Sequence, residues 1–551
     1  MAKTTRAKRK AAGGREWWRG ATIYQIYPRS YQDTTGDGSG DLAGITRRLK
    51  HVAELGADAI WISPFFRSPM ADMGYDVSDY CDVDPMFGSL ADFDALVTEA
   101  HRLGLKVIID QVLSHSSDQH PWFKESRASR RNSKADWYVW ADPRPDGSPP
   151  NNWISIFGGP AWEWDSVRRQ YYLHNFLASQ PDLNFHNLQV QKALLESVRF
   201  WLERGVDGFR LDTVNFYFHD QKLRSNPPLN RDMSEFTNAN PYEYQYHKWD
   251  KSQPENIGFL KKLRALLDSY GDRATVGEVG DGSRSLKIVA DYTSGGDKLD
   301  MCYTFDLLGP QFSPKHFARC IEEFEAAVAD GWICWAFSNH DVIRHVTRWT
   351  PPGAEPARVA KLAAALIVSL RGSICIYQGE ELGLLEADIA YEDLQDPYGI
   401  RFWPGFKGRD GCRTPMPWDA GRKNAGFSKA GKTWLPVPAA HAEAAVSVQR
   451  RDPNSVMTAY RAMLAFRRAL SPLIEGSVEV LEAGEAVLVL ARRSGSDTVL
   501  CVFNLATKPA RWTAPRELGD VVVLEAIDLG ASLRGRTVSL PPLSAAFLSA
   551  G

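Results

Sequence analysis

The chain has 551 residues, a formal net charge of −2, 44% hydrophobic residues and 24% charged residues. That length exceeds one ordinary domain and predicts two or three. The near-zero charge excludes bulk electrostatic attraction to nucleic acid or anionic lipid, and no run reaches the apolar length of a membrane span. The 18 Trp suit a large core or rings that stack on a flat, uncharged ligand, and composition does not choose between them. Seven scattered Cys without a C-x-x-C pair predict reduced core thiols and a cytoplasmic protein. Residues 1–15 are basic with no apolar run behind them, so a disordered tail is expected rather than a secretory signal.

From about residue 22 to 390, short apolar runs alternate with longer amphipathic ones. Ala21–Pro28, Ala57–Pro64, Leu105–Asp110, Val206–Asp212, Arg273–Val279, Lys298–Asp306, Trp332–Asp341 and Ser373–Glu381 read as strands. Their continuous apolar character suits a parallel sheet covered on both faces. Between them, Asp41–Gly56 sets Leu42, Ile45, Leu49 and Val52 on one stripe and stops at Gly56. Ser89–Gly104 repeats the design with Ser89 as N-cap, and Leu188–Gly205 follows with Leu194, Val198, Trp201 and Leu202. The last helix falls near Val456–Leu470. Eight such alternations predict an α/β fold, a (β/α)8 TIM barrel over residues 16–113 and 186–470.

Two segments break the rhythm. Residues 114–185 are rich in Trp, Pro, Asn and Gly and are too long for a structureless loop, so they predict a small domain inserted after the third strand. Residues 215–256 form a second, polar and aromatic insertion expected to arch over the barrel mouth. Beyond residue 471, short alternating runs at Ser477–Ala483, Ala486–Arg493, Thr498–Ala506 and Val521–Ile527 predict a C-terminal antiparallel β domain, a sandwich spanning 471–551.

Catalytic side chains of such barrels come from the C-terminal ends of strands. There the third strand offers Asp110, with His115 soon after; the fourth offers Arg210 and Asp212 on one face; the fifth offers Glu278; the seventh offers Asn339, His340 and Asp341. Each alone reads as a solvated strand end or a structural ion pair. Together they read as a site, because converging charges are costly without a purpose. Paired carboxylates suit glycosidic cleavage, in which one attacks or stabilises an oxocarbenium-like centre and one protonates the leaving oxygen. Arg210 is expected to keep Asp212 ionised, and desolvation to raise Glu278.

At these residues the chain resembles glycoside hydrolase family 13, the α-amylase family, in its oligo-1,6-glucosidase and α-glucosidase branch. The motifs that carry the resemblance are GYDVSDY (74–80), DQVLSH (110–115), QPDLN (180–184), GVDGFRLDTVN (205–215), GEV (277–279), FSNHD (337–341), YQGEELG (377–383) and CRTPMPW (412–418). The resemblance implies Asp212 as nucleophile, Glu278 as general acid/base and Asp341 as a third carboxylate that grips and distorts the sugar. It implies that His115, Arg210 and His340 bind the same glucose, that Tyr75 stacks on it, that Asp76 and Arg413 close the pocket, and that Phe157 lines it. It also implies an exo-acting retaining α-glucosidase on short oligosaccharides, with transglucosylation. Gln111, where an apolar residue is usual, and Asp281, where the usual longer form carries a Trp, depart from the pattern. Thr213 after the nucleophile, in place of the Val that accompanies α-1,6 cleavage, implies α-1,4 preference. Same-fold alternatives are a sucrose isomerase, a trehalose synthase or a dedicated transglucosylase. A catalytically dead binding subunit is the different-class alternative, and the intact Asp212, Glu278 and Asp341 argue against it. No nucleic-acid or membrane partner is expected, and the chain is expected to be a monomer or homodimer.

A loop before the first helix, Asp33 to Asp41, sets oxygens at alternate positions like the start of an EF-hand, with Gly38 at the sharp turn. Asp33, Thr35, Asp37, Ser39 and Asp41 are candidate ligands for a structural Ca²⁺ or Mg²⁺. The closing Glu position is Gly44, so this is no EF-hand, and an acidic turn capping the helix is the plainer alternative.

Overall fold

A computed structural model describes residues 16–229 and 240–551; the basic tail and residues 230–239 of the second insertion lie outside the described residues. Eight parallel strands form one sheet: β1 (Thr22–Ile26), β2 (Ala59–Ile62), β3 (Lys106–Gln111), β4 (Gly208–Leu211), β5 (Ala274–Val279), β6 (Met301–Thr304), β7 (Cys334–Ala336) and β8 (Ser373–Tyr377). Neighbours pair in chain order, β8 returns to β1, and a parallel bridge between Cys302 and Ile333 joins β6 to the start of β7. The sheet is therefore a nearly closed barrel, as the alternation predicts. After the strands come α1 (Leu42–Leu55), α2 (Leu90–Arg102), α3 (Leu188–Glu203), α4 (Asn256–Asp268), α5 (Ser285–Thr293), α6 (Pro314–Ala327), α7 (Pro356–Ser369) and α8 (Val456–Ala469).

Local chemistry fixes the helix ends. The Asp41 side chain accepts from Gly44 N and caps α1, which ends at Gly56 in the left-handed region, φ 102°. Ser89 and Asp92 form a reciprocal capping box on α2. The predicted stripes of α1 and α3 are buried against the barrel.

Strand alternation divides the core in two. Outward residues such as Ile60, Ile109, Phe209, Leu211 and Ile376 pack against the helices. Inward residues Ile23, Ala59, Ile108, Val276, Met301, Cys334 and Cys375 fill the barrel. Two residues further along, the same inward rows carry Gln25, Trp61, Asp110, Arg210, Glu278 and Tyr303. The apolar plug thus becomes a polar pit at the C-terminal mouth.

Between β3 and α3 the chain builds a three-stranded antiparallel sheet, Trp140–Ala141, Gln170–Leu173 and Trp162–Asp165, over a cluster that includes Val139, Trp153 and Trp162. Residues 477–550 form a five-stranded antiparallel sheet facing a three-stranded one, with Val489, Val502, Trp512, Val538 and Leu548 between them. All seven Cys are unpaired, six of them buried. Among the described residues, no helix is long and apolar enough to cross a membrane.

Candidate active site

Arg210, fully buried, is the hub of the pit. Its Nη1 donates to Asp110 Oδ1 at 2.8 Å and to Asp212 Oδ1 at 2.6 Å, and its Nη2 lies 2.7 Å from both Glu278 Oε2 and the Tyr303 hydroxyl. Three carboxyl groups from β3, β4 and β5 therefore meet one guanidinium. The backbone N–H of Thr213 donates to Glu278 Oε2 at 2.9 Å, while the Thr213 hydroxyl lies 3.3 Å from Asp212 Oδ2 and 3.0 Å from Ser114 Oγ. Thr213 holds φ 41°, a left-handed conformation that a β-branched residue rarely adopts and that aims its N–H at Glu278.

One cation cannot keep three buried acids ionised. Burial pushes the Glu278 carboxyl up to about 8, the nearby Asp212 and Asp341 charges add to it, and Arg210 opposes. Burial also raises Asp212 above the usual carboxylate range, though less far than Glu278, with Arg210 opposing. The expectation that Arg210 alone would keep Asp212 ionised is corrected: desolvation outweighs an arginine shared three ways. Asp341 behaves oppositely. Although burial works against its charge, His340, Arg409 and Arg413 together hold it well below the usual range.

Asp341 lies on the other wall, its side chain 21% exposed against 7% for Asp212 and 6% for Glu278. Its Oδ1 accepts from Arg413 Nη2 at 3.0 Å and Arg409 Nη1 at 3.2 Å. The ring of Tyr75 stacks on His340 at 5.3 Å, and its hydroxyl bonds His340 Nε2 and donates to Asp110. His340 Nδ1 meets Gln25 Nε2 at 2.8 Å. His115 Nε2 lies 3.1 Å from both Tyr75 O and Gln180 Nε2, and burial lowers its pKa to about 4, so it is neutral. Phe157 is buried edge-on to Tyr398 and Phe176, with the Arg409 guanidinium 5.2 Å from its ring centre.

These residues match known proteins throughout their length. The family described as "Alpha amylase, catalytic domain" matches residues 25–476. The chain belongs to the α-amylase family. Within it, a probable α-glucosidase of Rhizobium meliloti (strain 1021) is 59% identical over 537 residues, 97% of either chain. An oligo-1,6-glucosidase of Heyndrickxia coagulans is 36% identical, covering 94% of this chain and 97% of its own. Among solved structures, the α-glucosyl transfer enzyme XgtA superposes with a TM-score of 0.94 at 54% identity, over 98% of this chain and all of its own. The trehalulose synthase MutB from Pseudomonas mesoacidophila MX-45 does so with a TM-score of 0.88 at 33% identity, over 98% and 100%. This family member is a glycoside hydrolase of the α-glucosidase branch.

One expectation for the hydrolase fails in the structure. Asp76 does not face the pocket: fully buried, it accepts from Ala71 N at 2.9 Å, Asp72 N at 3.0 Å and Ser68 Oγ at 2.9 Å, and so holds its own loop together. The pocket-side acid is Asp72, which meets Arg409 Nη2 at 2.7 Å and accepts from Gln180 at 3.1 Å. Arg409 also grips Asp396 at 2.8 Å. Arg413 touches Asp341 and His340 O but none of the Asp72 cluster. The reading of the first motif was displaced by four residues, from Asp72 to Asp76, while Arg413 and Arg409 both reach Asp341. Asp72 and Arg409 sit in irregular loops, where no period marks an inward side; the GRD run before CRTPMPW was the available signal for Arg409. Of the departures, Gln111 points outward to Ser197 Oγ at 3.3 Å, and Asp281 accepts from Ser252 and Arg284.

The acidic loop is a hydrogen-bonded turn. Asp33 accepts from Gly36 N at 2.7 Å, Gly38 N at 2.9 Å, Thr35 Oγ1 at 3.2 Å and Ser428 Oγ. Asp41 accepts from Thr34 N and Gly44 N, both at 2.7 Å, and Asp37 accepts from Ser39 N at 2.8 Å. Among the described residues, no group of three or more His, Cys, Asp or Glu is placed to hold a metal ion. The donor chemistry suits a hard cation, and Asp41 also caps α1.

Proposed function

We propose that this enzyme is an exo-acting, retaining α-glucosidase that removes terminal glucose from short α-glucosides, with α-1,4 links preferred, and passes part of that glucose to sugar acceptors. The observation that carries the reading is the pairing of Asp212 and Glu278 on one guanidinium, reinforced by the contacts of both with Thr213. Carboxyls bridged in this way favour the retaining separation of about 5–5.5 Å over the inverting one of roughly 6.5–9.5 Å.

In this reading the proton on Glu278 passes to the glycosidic oxygen as Asp212 attacks the anomeric carbon from the opposite face, forming a β-glucosyl ester and releasing the aglycone. Glu278, now a carboxylate, takes a proton from water or an acceptor hydroxyl, whose oxygen displaces Asp212 and yields an α-product. Asp341, held ionised by two arginines, accepts hydrogen bonds from sugar hydroxyls, as does Asp72 beside Arg409. The Asp72–Arg409–Asp396 cluster behind Asp341 supports a pocket with room for a terminal sugar only. The similarity to XgtA favours a second reading in which transfer outweighs hydrolysis. Product analysis on maltose, isomaltose, sucrose and trehalose tests both. Glucose from maltose as the main product supports the first reading, longer glucosides support the second, and a rearranged disaccharide from sucrose or maltose would overturn both.

We further propose a structural Ca²⁺ or Mg²⁺ in loop 33–41, on the strength of three carboxylates within nine residues; no catalytic step depends on it.

A further inference from the structure

The segment between β4 and α4 contains a buried lysine that the chemistry above does not use. Lys251, in the second insertion, is 5% exposed. A buried ammonium is costly unless it is paired, yet among the described residues no carboxylate bonds it; its neighbours Asp281, Asp250 and Glu243 act only at longer range. Its Nζ donates to the Tyr242 hydroxyl at 2.8 Å and to the Gly280 carbonyl at 2.9 Å, and lies 4.8 Å from the Phe216 ring centre.

Gly280 is two residues beyond Glu278. Its peptide is gripped from a second side by Asn215, whose Nδ2 donates to Gly280 O at 3.2 Å and to Ser252 Oγ at 3.0 Å. Ser252 in turn donates to Asp281, and its N–H reaches Asn215 O at 2.6 Å. Phe216 packs on Phe176, which packs on His115 and Phe157. The lysine therefore stands behind the pocket wall, fastened to the backbone that leaves β5.

We propose that Lys251 is a positioning residue for the acid/base step: by fixing the Gly280 carbonyl it fixes the exit of β5 and so the orientation of Glu278 toward the leaving oxygen. The charge is needed because an ammonium bonds a carbonyl more strongly than a neutral donor does. This inference rests on Glu278 being the general acid.

The test compares substrates that differ in their need for an acid. Maltose releases glucose, whose leaving oxygen needs a full proton; α-glucosyl fluoride releases fluoride with little help. Lys251→Met keeps the stem and removes the donor. It is expected to lower kcat/KM on maltose by roughly tenfold or more and on the fluoride by less than about threefold, a fraction of the roughly 10²–10⁴-fold that acid catalysis supplies. Equal losses on the two substrates, or none, would overturn the proposal, because a merely structural staple would not sort leaving groups. Should Lys251→Met fail to fold, Tyr242→Phe, which strips one of the two acceptors and keeps the charge, must show the same split at smaller size; equal losses there overturn it too. Glu278→Gln is the control. A missing split in that variant means that the acid assignment has failed and this inference with it; a split there but not in the lysine variant sinks the lysine alone.

Discussion

Glu278 and Asp212 share one arginine, yet the proposed mechanism requires them to hold opposite protonation states. Asp212 has to be ionised to attack and Glu278 protonated to donate. Activity therefore rises as pH climbs through the raised Asp212 pKa and falls as pH passes the Glu278 value of about 8. The expected kcat/KM profile is a bell with its alkaline limb near that value, and Glu278→Gln should remove that limb; a wild-type alkaline limb near the ordinary Glu value would contradict the desolvation argument. These residues were legible in the sequence because strand alternation is strict: Asp110 and Glu278 lie two residues beyond Ile108 and Val276, which point into the barrel, and Arg210 stands in register with Asp110 and Val276. Asp72 and Arg409 were missed because a loop has no such period. The contacts of Asp76 and Arg413 depend on backbone turns that composition does not encode.

At the scale of elements, the turn after β4 carries the clearest strain. Thr213 in the left-handed region costs on the order of 1–3 kcal/mol and returns a backbone N–H to Glu278. Its hydroxyl meets Ser114 and Asp212, so Thr213→Val removes two contacts beside the reacting atoms. The ratio of kcat/KM for maltose to that for isomaltose should fall in this variant, within the roughly 10–200-fold range open to such pocket changes. An unmoved ratio would place linkage preference in the segment 215–256 instead. Helices α1, α2, α3 and α8 were legible to within a residue or two, and where their ends carry chemical signals, Asp41, Ser89 and Gly56 do what their side chains, or the lack of one, dictate. The loop before α1 is a separate matter. Its alternating oxygens suggest a cation, whereas its geometry spends them on backbone N–H groups. If it takes Ca²⁺ or Mg²⁺, EDTA and Asp37→Ala should each lower Tm more than they lower activity at low temperature. An unchanged Tm in both would leave the loop as a helix cap.

Across the whole molecule, the barrel supplies the carboxyl groups and the two insertions are tied to each other. Asn240, from the second insertion, donates to Ile156 O at 2.7 Å in the first and to the Tyr398 hydroxyl at 2.9 Å in the segment after β8. Three loops that are distant in sequence thus form one rim, and such long-range stitching has no local signature to read. A rim that holds an acceptor while it slows water should favour transfer as maltose concentration rises. The expected result is a growing share of trisaccharide over free glucose; a share independent of maltose concentration would contradict a pocket that binds acceptors. All of these claims depend on a glucose carried by Asp212. The most direct test is to quench Glu278→Gln during turnover of α-glucosyl fluoride, digest it, and locate the covalent glucose by mass spectrometry. The account predicts a glucosyl ester on the peptide containing Asp212. An ester on Asp341, or fluoride released with no labelled peptide at all, would contradict it.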